Sequence, residues 1–327
     1  MKPILIHTHF HKNKTGVTRS IENVLPFFNA NYETYIYGYN VTGNKINITT
    51  FLKLLISNRE IVVHCHRNNE ILRMLLFRFF GAKFTLIATR HAETTPSKLT
   101  IALLKKADKV VTLIDSMSKN LGAKNTIIGH GVNVNVFQPN PTKQLPNISQ
   151  KNIVLCAGRV RKAKGQLVLL EAAKILQKHT NWALAIVGKL EKPSFLEKLK
   201  EITKKHSIED QVYFIKETSD IISYYQASKI VVVPSFSEGF SLVTAEAMSC
   251  ECSVIATKNV GVHSSLITNK KNGYLFEAGN NLELEKLLEQ AITNKIPHLG
   301  KQAREEILKN WSAKKEAENL MSLYKSN

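Results

Sequence analysis

Two carboxylates eight residues apart, Glu238 and Glu246, stand in the stretch 235–250 (SFSEGFSLVTAEAMSC). An apolar run, Ile230 to Val233, and then Pro234 precede it. From Gly239 onward Phe240, Leu242, Val243, Ala247 and Met248 recur at helical spacing, so a helix is expected to open at Gly239. Strand, glycine turn and helix in that order aim backbone N–H groups, here those of Gly239, Phe240, Ser241 and Leu242, at an anion. A rise of about 1.5 Å per residue sets the two carboxylates on the order of 10 Å apart, too far to share a proton but able to touch opposite ends of one elongated ligand. Read singly, Glu238 is a helix-start acid and Glu246 a solvated side chain.

A second element changes that balance. The strand-like run 152–157 is followed by Gly158-Arg159-Val160-Arg161-Lys162-Ala163-Lys164-Gly165. Four basic residues in six, bracketed by glycines at a strand-to-helix turn, form an anion site. Arg159 can grip a phosphate with two parallel N–H groups, and Lys164 can act as a point charge. Walker spacing and Gly-x-Gly-x-x-Gly are both missing, so neither an ATPase nor an NAD enzyme is supported. Gly188-Lys189 and Ile215-Lys216 end the next two strand-like runs, where backbone can meet a nucleotide base.

The first half carries its own loops. His7-Thr8-His9-Phe10-His11 leads to Gly16, which opens a helix and can bring backbone close to a phosphate or a sugar. Three histidines in five residues raise metal binding, but the loop reads as polar and exposed, and no metal is expected. His64-Cys65-His66-Arg67-Asn68-Asn69-Glu70 ends one strand and starts a helix. The run Ile71 to Phe80 that follows is apolar but holds Arg73 and Arg78; it reads either as a sheet-covering helix or as a membrane-seating one. Thr89-Arg90-His91-Ala92-Glu93 follows another strand, and His91 there is a candidate for contact with a reacting sugar. Lys98, Lys105 and Lys106 lie in a basic helical stretch, and Gly129-His130-Gly131-Val132-Asn133 comes at the crossing between halves.

The elements that must position these loops are legible as alternation. Runs at 3–8, 33–38, 60–65, 83–88, 109–113 and 126–128 read as strands with helices between them. The theme repeats at 152–157, 182–187, 211–214, 229–233, 253–256 and 273–276. This argues for an α/β protein of two doubly wound parallel-sheet domains. In such sheets ligands bind beyond the carboxyl ends of the strands, and two of them facing each other would make a cleft. The Pro- and Asn-rich segment 133–150 marks the boundary, giving expected domains 1–145 and 146–300, with C-terminal helices at 301–327 packing back across the junction.

Composition narrows the function classes. The chain has 327 residues and 43% hydrophobic content, which is globular. Its four cysteines show no metal spacing; Cys65 and Cys156 read as buried apolar residues and Cys250-x-Cys252 as helix-end packing. No apolar run spans a bilayer and no secretory leader is evident, so a cytoplasmic protein is expected. A net charge of +19, from 45 basic and 26 acidic residues, favours an anionic partner: nucleic acid, an anionic membrane surface or a phosphorylated substrate. A nucleic-acid binder would interleave basic and aromatic residues on one face; here the basic residues gather at strand ends and in helices of the first half, so no nucleic-acid partner is expected.

Together these residues resemble retaining glycosyltransferases of family 4, which have the GT-B fold of two Rossmann-like domains. The resemblance rests on Gly158-Arg159 with Lys164-Gly165, and on Glu238-Gly239-Phe240-Ser241 with Glu246, the family's Glu-x7-Glu signature. Thr15-Gly16-Val17-Thr18, His64 and His66 to Glu70, and the run Gly158 to Gly165 also look like bacterial lipopolysaccharide core mannosyltransferases, which use GDP-mannose. At the crossing, His130-Gly131-Val132-Asn133 stands where the general family often has Asn-Gly-Val-Asp.

The resemblance implies roles. Arg159 and Lys164 hold the donor diphosphate, with Gly16, Gly158, Gly188, Lys189 and Ile215 around the donor. Glu238 contacts sugar hydroxyls, Glu246 holds the ribose diol, and His91 orients the transferred sugar. It implies transfer of a hexose without metal or cofactor, mannose from GDP-mannose, to the Kdo–lipid A inner core, an anionic glycolipid at the inner leaflet. The seating surface is expected around Arg67, Arg73, Arg78, Lys98, Lys105 and Lys106, placing the protein peripherally on the inner membrane. The alternatives are a UDP-sugar or ADP-heptose donor, or an inactive partner subunit.

Overall fold

The computed structural model describes residues 1–325. The chain divides into two compact units, residues 1–133 with 311–325, and residues 134–310.

The first unit is built on a seven-stranded parallel sheet. Its strands are β1 (Ile4–His9), β2 (Glu33–Gly38), β3 (Lys45–Ile46), β4 (Ile61–Cys65), β5 (Thr85–Arg90), β6 (Lys109–Thr112) and β7 (Thr126–Ile127). Their order is β3-β2-β1-β4-β5-β6-β7. β1 and β4 are buried end to end, as central strands covered by helices on both faces are, their apolar starts giving way to buried histidines at the carboxyl ends. One face packs Ile4, Ile6, Val63 and Leu86 against Ile71 and Met74 of the helix Asn68–Phe79. On the other, Leu5, Val62 and Ile87 meet Val24 and Phe28 of the helix Gly16–Phe28 and Ala317, Leu320 and Tyr324 of the helix Ala313–Lys325. Each large apolar side chain so buried contributes about 1.5–3 kcal/mol, which ties the C-terminal helix to this unit.

The second unit holds β8 (Asn152–Ala157), β9 (Trp182–Val187), β10 (Val212–Ile215), β11 (Ile230–Val233), β12 (Ser253–Thr257) and β13 (Tyr274–Phe276). They form a six-stranded parallel sheet in the order β10-β9-β8-β11-β12-β13. In each sheet the winding reverses beside the first strand, between β1 and β4 in one and between β8 and β11 in the other. At such a reversal two neighbouring loops diverge and leave a crevice.

Twelve of these strands lie where the apolar runs predict them. The two-residue edge strand β3 is additional; Lys45 and Ile46 offer no alternation to read.

The expected division at 145 and 300 falls inside the second unit. Phe137 is buried, and its carbonyl accepts from Ser249 Oγ and, at 3.2 Å, from Arg304 Nη1, so the Pro- and Asn-rich segment is held by the second unit. The helix Gly300–Asn310 packs there too, against the helix Leu242–Ser249.

Two further expectations are corrected. The helix after Glu238 starts at Leu242, not at Gly239, because Ser241 adopts the left-handed conformation (φ +75°) and Phe240 turns into the core. The first loop is not an exposed polar one: His7 and His9 belong to β1 and are buried, held there by pairing on both sides of the strand. All four cysteines are buried and free.

Candidate functional site

The crevice between β8 and β11 brings the two sequence motifs of the second unit together. Lys164 Nζ lies 2.6 Å from Glu238 Oε2, and Ser235 Oγ donates to Glu238 Oε1 at 2.6 Å. The carboxylate is nearly buried, at 9% exposure, and the ammonium is a fifth exposed. An ammonium has three donors, so Lys164 can hold Glu238 and an incoming anion at once. Arg159 is exposed and forms no ion pair with any described carboxylate. Arg161 is engaged with Glu191 at 3.7 Å, while Lys162 is exposed.

The loop reaches this position through one glycine. Gly165 sits at φ +71°, and a Cβ there would lie 1.9 Å from the carbonyl oxygen of Pro234. Only a residue without a side chain lets the basic loop lie against the end of β11. Gly188 makes the same close approach to the carbonyl of Gly158. Gly188 N–H donates to the Ile215 carbonyl and Val160 N–H to that of Lys189, which laces the ends of β8, β9 and β10 together. Gly158, Lys189 and Ile215 thus sit together at the carboxyl edge of the sheet. Gly261 opposes Glu238, where a Cβ would come within 2.6 Å of the Glu238 Cβ. The sequence carries no distinctive signal for it.

Glu246 is fully buried in the helix Leu242–Ser249, and Tyr225 Oη donates to its Oε2 at 3.0 Å. Ser241 Oγ is linked to Thr244 Oγ1 at 2.9 Å and to His263 Nε2 at 3.0 Å, which steadies the left-handed residue ahead of the helix. Phe240 is core, while Gly239 and Leu242 are part-exposed.

In the first unit, the crevice between β1 and β4 gathers histidines. His7, His64 and His66 are buried and His91, just after β5, is half-buried. Burial pushes the His7 pKa down to about 3 and those of His64, His66 and His91 well below the usual value, so these rings are neutral. Both ring nitrogens of His91 are engaged, Nε2 with His66 Nδ1 and Nδ1 with His130 Nε2, each at 3.1 Å. Glu70, wholly buried, accepts from Thr8 Oγ1 and from the backbone N–H groups of Phe10 and His66, joining the ends of β1 and β4. Gly16 begins its helix with open space around its Cα.

Nitrogens of His7, His64 and His66 lie within 4.8 Å of one another, which is the spacing of a metal-ligand group. The rings are near-parallel, at 12–34° to one another, and a lone pair lies in its ring plane. They therefore do not converge on one point at the about 2.0–2.1 Å that zinc requires. His64 is also spent on Tyr324 Oη at 2.7 Å and Thr89 Oγ1 at 2.6 Å.

The basic residues expected to seat on a membrane divide. Arg78 is paired with Asp108, donates to the Phe84 carbonyl and stacks on Phe84, so it is a structural residue. Arg67 is drawn inward toward Thr15 and Glu70. Arg73 lies over the Phe10 ring at 4.3 Å, and Lys98, Lys105 and Lys106 are exposed. Beside them Leu72, Leu76, Phe79, Phe80 and Leu99 are also exposed, Phe79 at 81%. The helix Asn68–Phe79 covers the sheet with Ile71 and Met74 and leaves Leu72, Leu76 and Phe79 exposed on its other side.

The chain is similar to known proteins. The lipopolysaccharide core biosynthesis mannosyltransferase LpcC of Rhizobium leguminosarum bv. viciae is 28% identical over 279 residues, covering 82% of this chain and 79% of LpcC. The corresponding LpsB of Rhizobium meliloti is also 28% identical, covering 81% and 79%. The crystal structure of Anabaena Alr3699/HepE in complex with UDP and glucose superposes with a TM-score of 0.82 at 16% identity, over 99% of each chain. Two Rossmann-like parallel sheets of this kind are the GT-B fold. The family model for glycosyl transferases group 1 matches residues 137–310, more than half of the chain, and the protein belongs to that family.

Proposed function

We propose that the protein is a retaining hexosyltransferase that moves mannose from GDP-mannose onto the anionic Kdo–lipid A inner core of lipopolysaccharide at the inner leaflet. The observation that carries the transferase chemistry is the Lys164–Glu238 pair at the β8/β11 reversal, with the exposed Arg159 beside it. Arg159 and Lys164 neutralise the diphosphate as it leaves, with chain cations in the role a metal takes elsewhere. Glu238, held by Ser235 and Lys164, retains lone pairs for sugar hydroxyls. His91 orients the hexose; Glu246, fully buried and bonded to Tyr225, must be uncovered for the ribose diol to reach it. Mannose and the lipopolysaccharide core are supported by the similarity to LpcC and LpsB, both lipopolysaccharide core biosynthesis mannosyltransferases.

Thermal stabilisation by donors tests this reading, because a ligand that binds only the folded protein raises its melting point. GDP-mannose at about 100 times its Kd adds about 2.7 kcal/mol of stability and should shift the midpoint by several degrees. A shift with a UDP-sugar or ADP-heptose and none with GDP-mannose would discard the mannosyl donor.

The outward row of Leu72, Leu76, Phe79 and Phe80, beside Lys98, Lys105 and Lys106, supports seating on an anionic bilayer. Apolar side chains enter the acyl boundary while each lysine near the surface adds about 1 kcal/mol. Among the described residues no helix is long and apolar enough to cross a membrane. The double variant Leu76→Glu/Phe79→Glu should weaken binding to anionic liposomes by tenfold or more, with turnover of a water-soluble acceptor fragment retained. Unchanged flotation with liposomes would remove this surface from the model of action.

A further inference from the structure

Four histidines from four separate segments form one hydrogen-bonded series in the first unit. His7 Nδ1 meets His66 Nε2, His66 Nδ1 meets His91 Nε2, and His91 Nδ1 meets His130 Nε2, each at 3.1 Å. The series ends on the helix Ala313–Lys325: His130 Nδ1 lies 2.9 Å from Glu316 Oε1, and the backbone N–H of Gly131 donates to Glu316 Oε2 at 2.6 Å. Glu316 is buried, at 6% exposure.

A neutral imidazole has one N–H and one lone pair, so each link carries a single hydrogen and the series can point in only two ways. Either every ring is protonated on Nδ1 or every ring is protonated on Nε2. The end group decides. A carboxylate only accepts, so a neutral His130 presents Nδ1–H to it and keeps a lone pair on Nε2; a doubly protonated His130 would instead donate Nε2–H to His91. The neutral ring's lone pair takes His91 Nδ1–H, and the same step repeats through His66 to His7. His7 Nε2 then ends the series as a bare lone pair, and it is buried with no hydrogen-bond partner in the structure.

We propose that Glu316 is a positioning residue for sugar transfer: acting through His130, it holds the His91 ring and keeps its Nε2 as an acceptor. This rests on the reading that His91 orients the transferred hexose. A sugar hydroxyl that displaces His66 from Nε2 meets a lone pair and donates to it; in the opposite tautomer it would meet an N–H.

Two-bond proton–nitrogen correlation NMR on labelled full-length protein reads the tautomer of each ring directly. In the wild type His7, His66, His91 and His130 should all carry the proton on Nδ1. Glu316→Gln should reverse them. The Gly131 N–H can only donate, so it takes the carboxamide oxygen and turns the NH2 group toward His130 Nδ1, which must then accept. His91 becomes the Nε2–H form, and kcat should fall about tenfold or more while the donor KM stays within about twofold. An unprotonated His91 Nδ1 in the wild type, protons on both ring nitrogens of His130, or the same His91 tautomer in both proteins, would overturn the proposal without needing the variant to be active. Loss of kcat with unchanged tautomers would reduce Glu316 to a structural residue. Near-normal turnover by His91→Ala would instead remove the role given to His91, and leave the tautomer result standing.

Discussion

Lys164→Ala should lower kcat/KM for the donor by on the order of 10²–10³, the scale seen when a single preorganised charge stabiliser is removed from a transition state. The effect has two parts in this protein. The leaving diphosphate loses a cation, and Glu238 loses the partner at 2.6 Å that neutralises it. An uncompensated Glu238, only 9% exposed, then repels the anion that Lys164 attracted. Lys164→Ala/Glu238→Gln separates the parts: it removes the repulsion but not the missing cation, so it should recover part of the donor affinity and little of kcat. Lys164→Arg should not rescue, since a planar guanidinium cannot replace a compact ammonium between a fixed carboxylate and a phosphate. Steady-state kinetics with a varied donor, with the melting midpoint as a control for folding, decides this. Turnover of Lys164→Ala within about threefold of wild type would place the diphosphate elsewhere.

The second large effect is a loss of stability in mild acid. His7, His64 and His66 are at most 8% exposed and neutral, with pKa values lowered by burial. In the unfolded chain each titrates near its ordinary value of about 6.5. Below that pH the unfolded state binds protons that the folded state refuses, so acid favours unfolding. The stabilisation is complete above about pH 6.5 and drains away as the pH falls toward the folded value, about 3 for His7. His7 alone, with a folded value of about 3, costs about 1.4 kcal/mol per pH unit below its ordinary value, about 2 kcal/mol by about pH 5, and His64 and His66 act in the same direction. That is a sizeable share of the about 5–15 kcal/mol that holds a domain together. The melting midpoint should therefore drop steeply between about pH 6.5 and 5. His64→Gln should flatten that dependence even if it lowers the midpoint at neutral pH. A midpoint that is level across this range would show that the rings already carry protons in the folded state.

Much of this protein is legible in its sequence, and the reason is physical. Strands of a parallel sheet buried on both faces must be short unbroken apolar runs, and 152–157, 182–187 and 253–256 could be little else. Ligand loops must follow strands, so the glycine-bracketed basic run after β8 and the Glu-Gly after β11 identified themselves by type and place. Gly165 is legible in retrospect for the same reason: a conformation that excludes a Cβ leaves a glycine in the sequence.

Other features have no local signature. The true helix start at Leu242 depends on one left-handed serine held by Thr244 and His263, the latter far along the chain. Arg78 reads as a free basic residue until Asp108 and Phe84 are brought beside it. The division at residues 133 and 310 follows from what Phe137 and the helix Gly300–Asn310 pack against, not from the composition of the linker.

The sequence by itself determined the alternation, the two doubly wound sheets and the basic and acidic motifs of the second unit, because strand periodicity and turn chemistry are local properties. Only the tertiary structure decided that Lys164 and Glu238 form a pair 74 residues apart, and that His7, His66, His91, His130 and Glu316 make a single series. Those contacts depend on the order in which strands lie in a sheet and on which helix covers it, and neither is written in the spacing of any one segment.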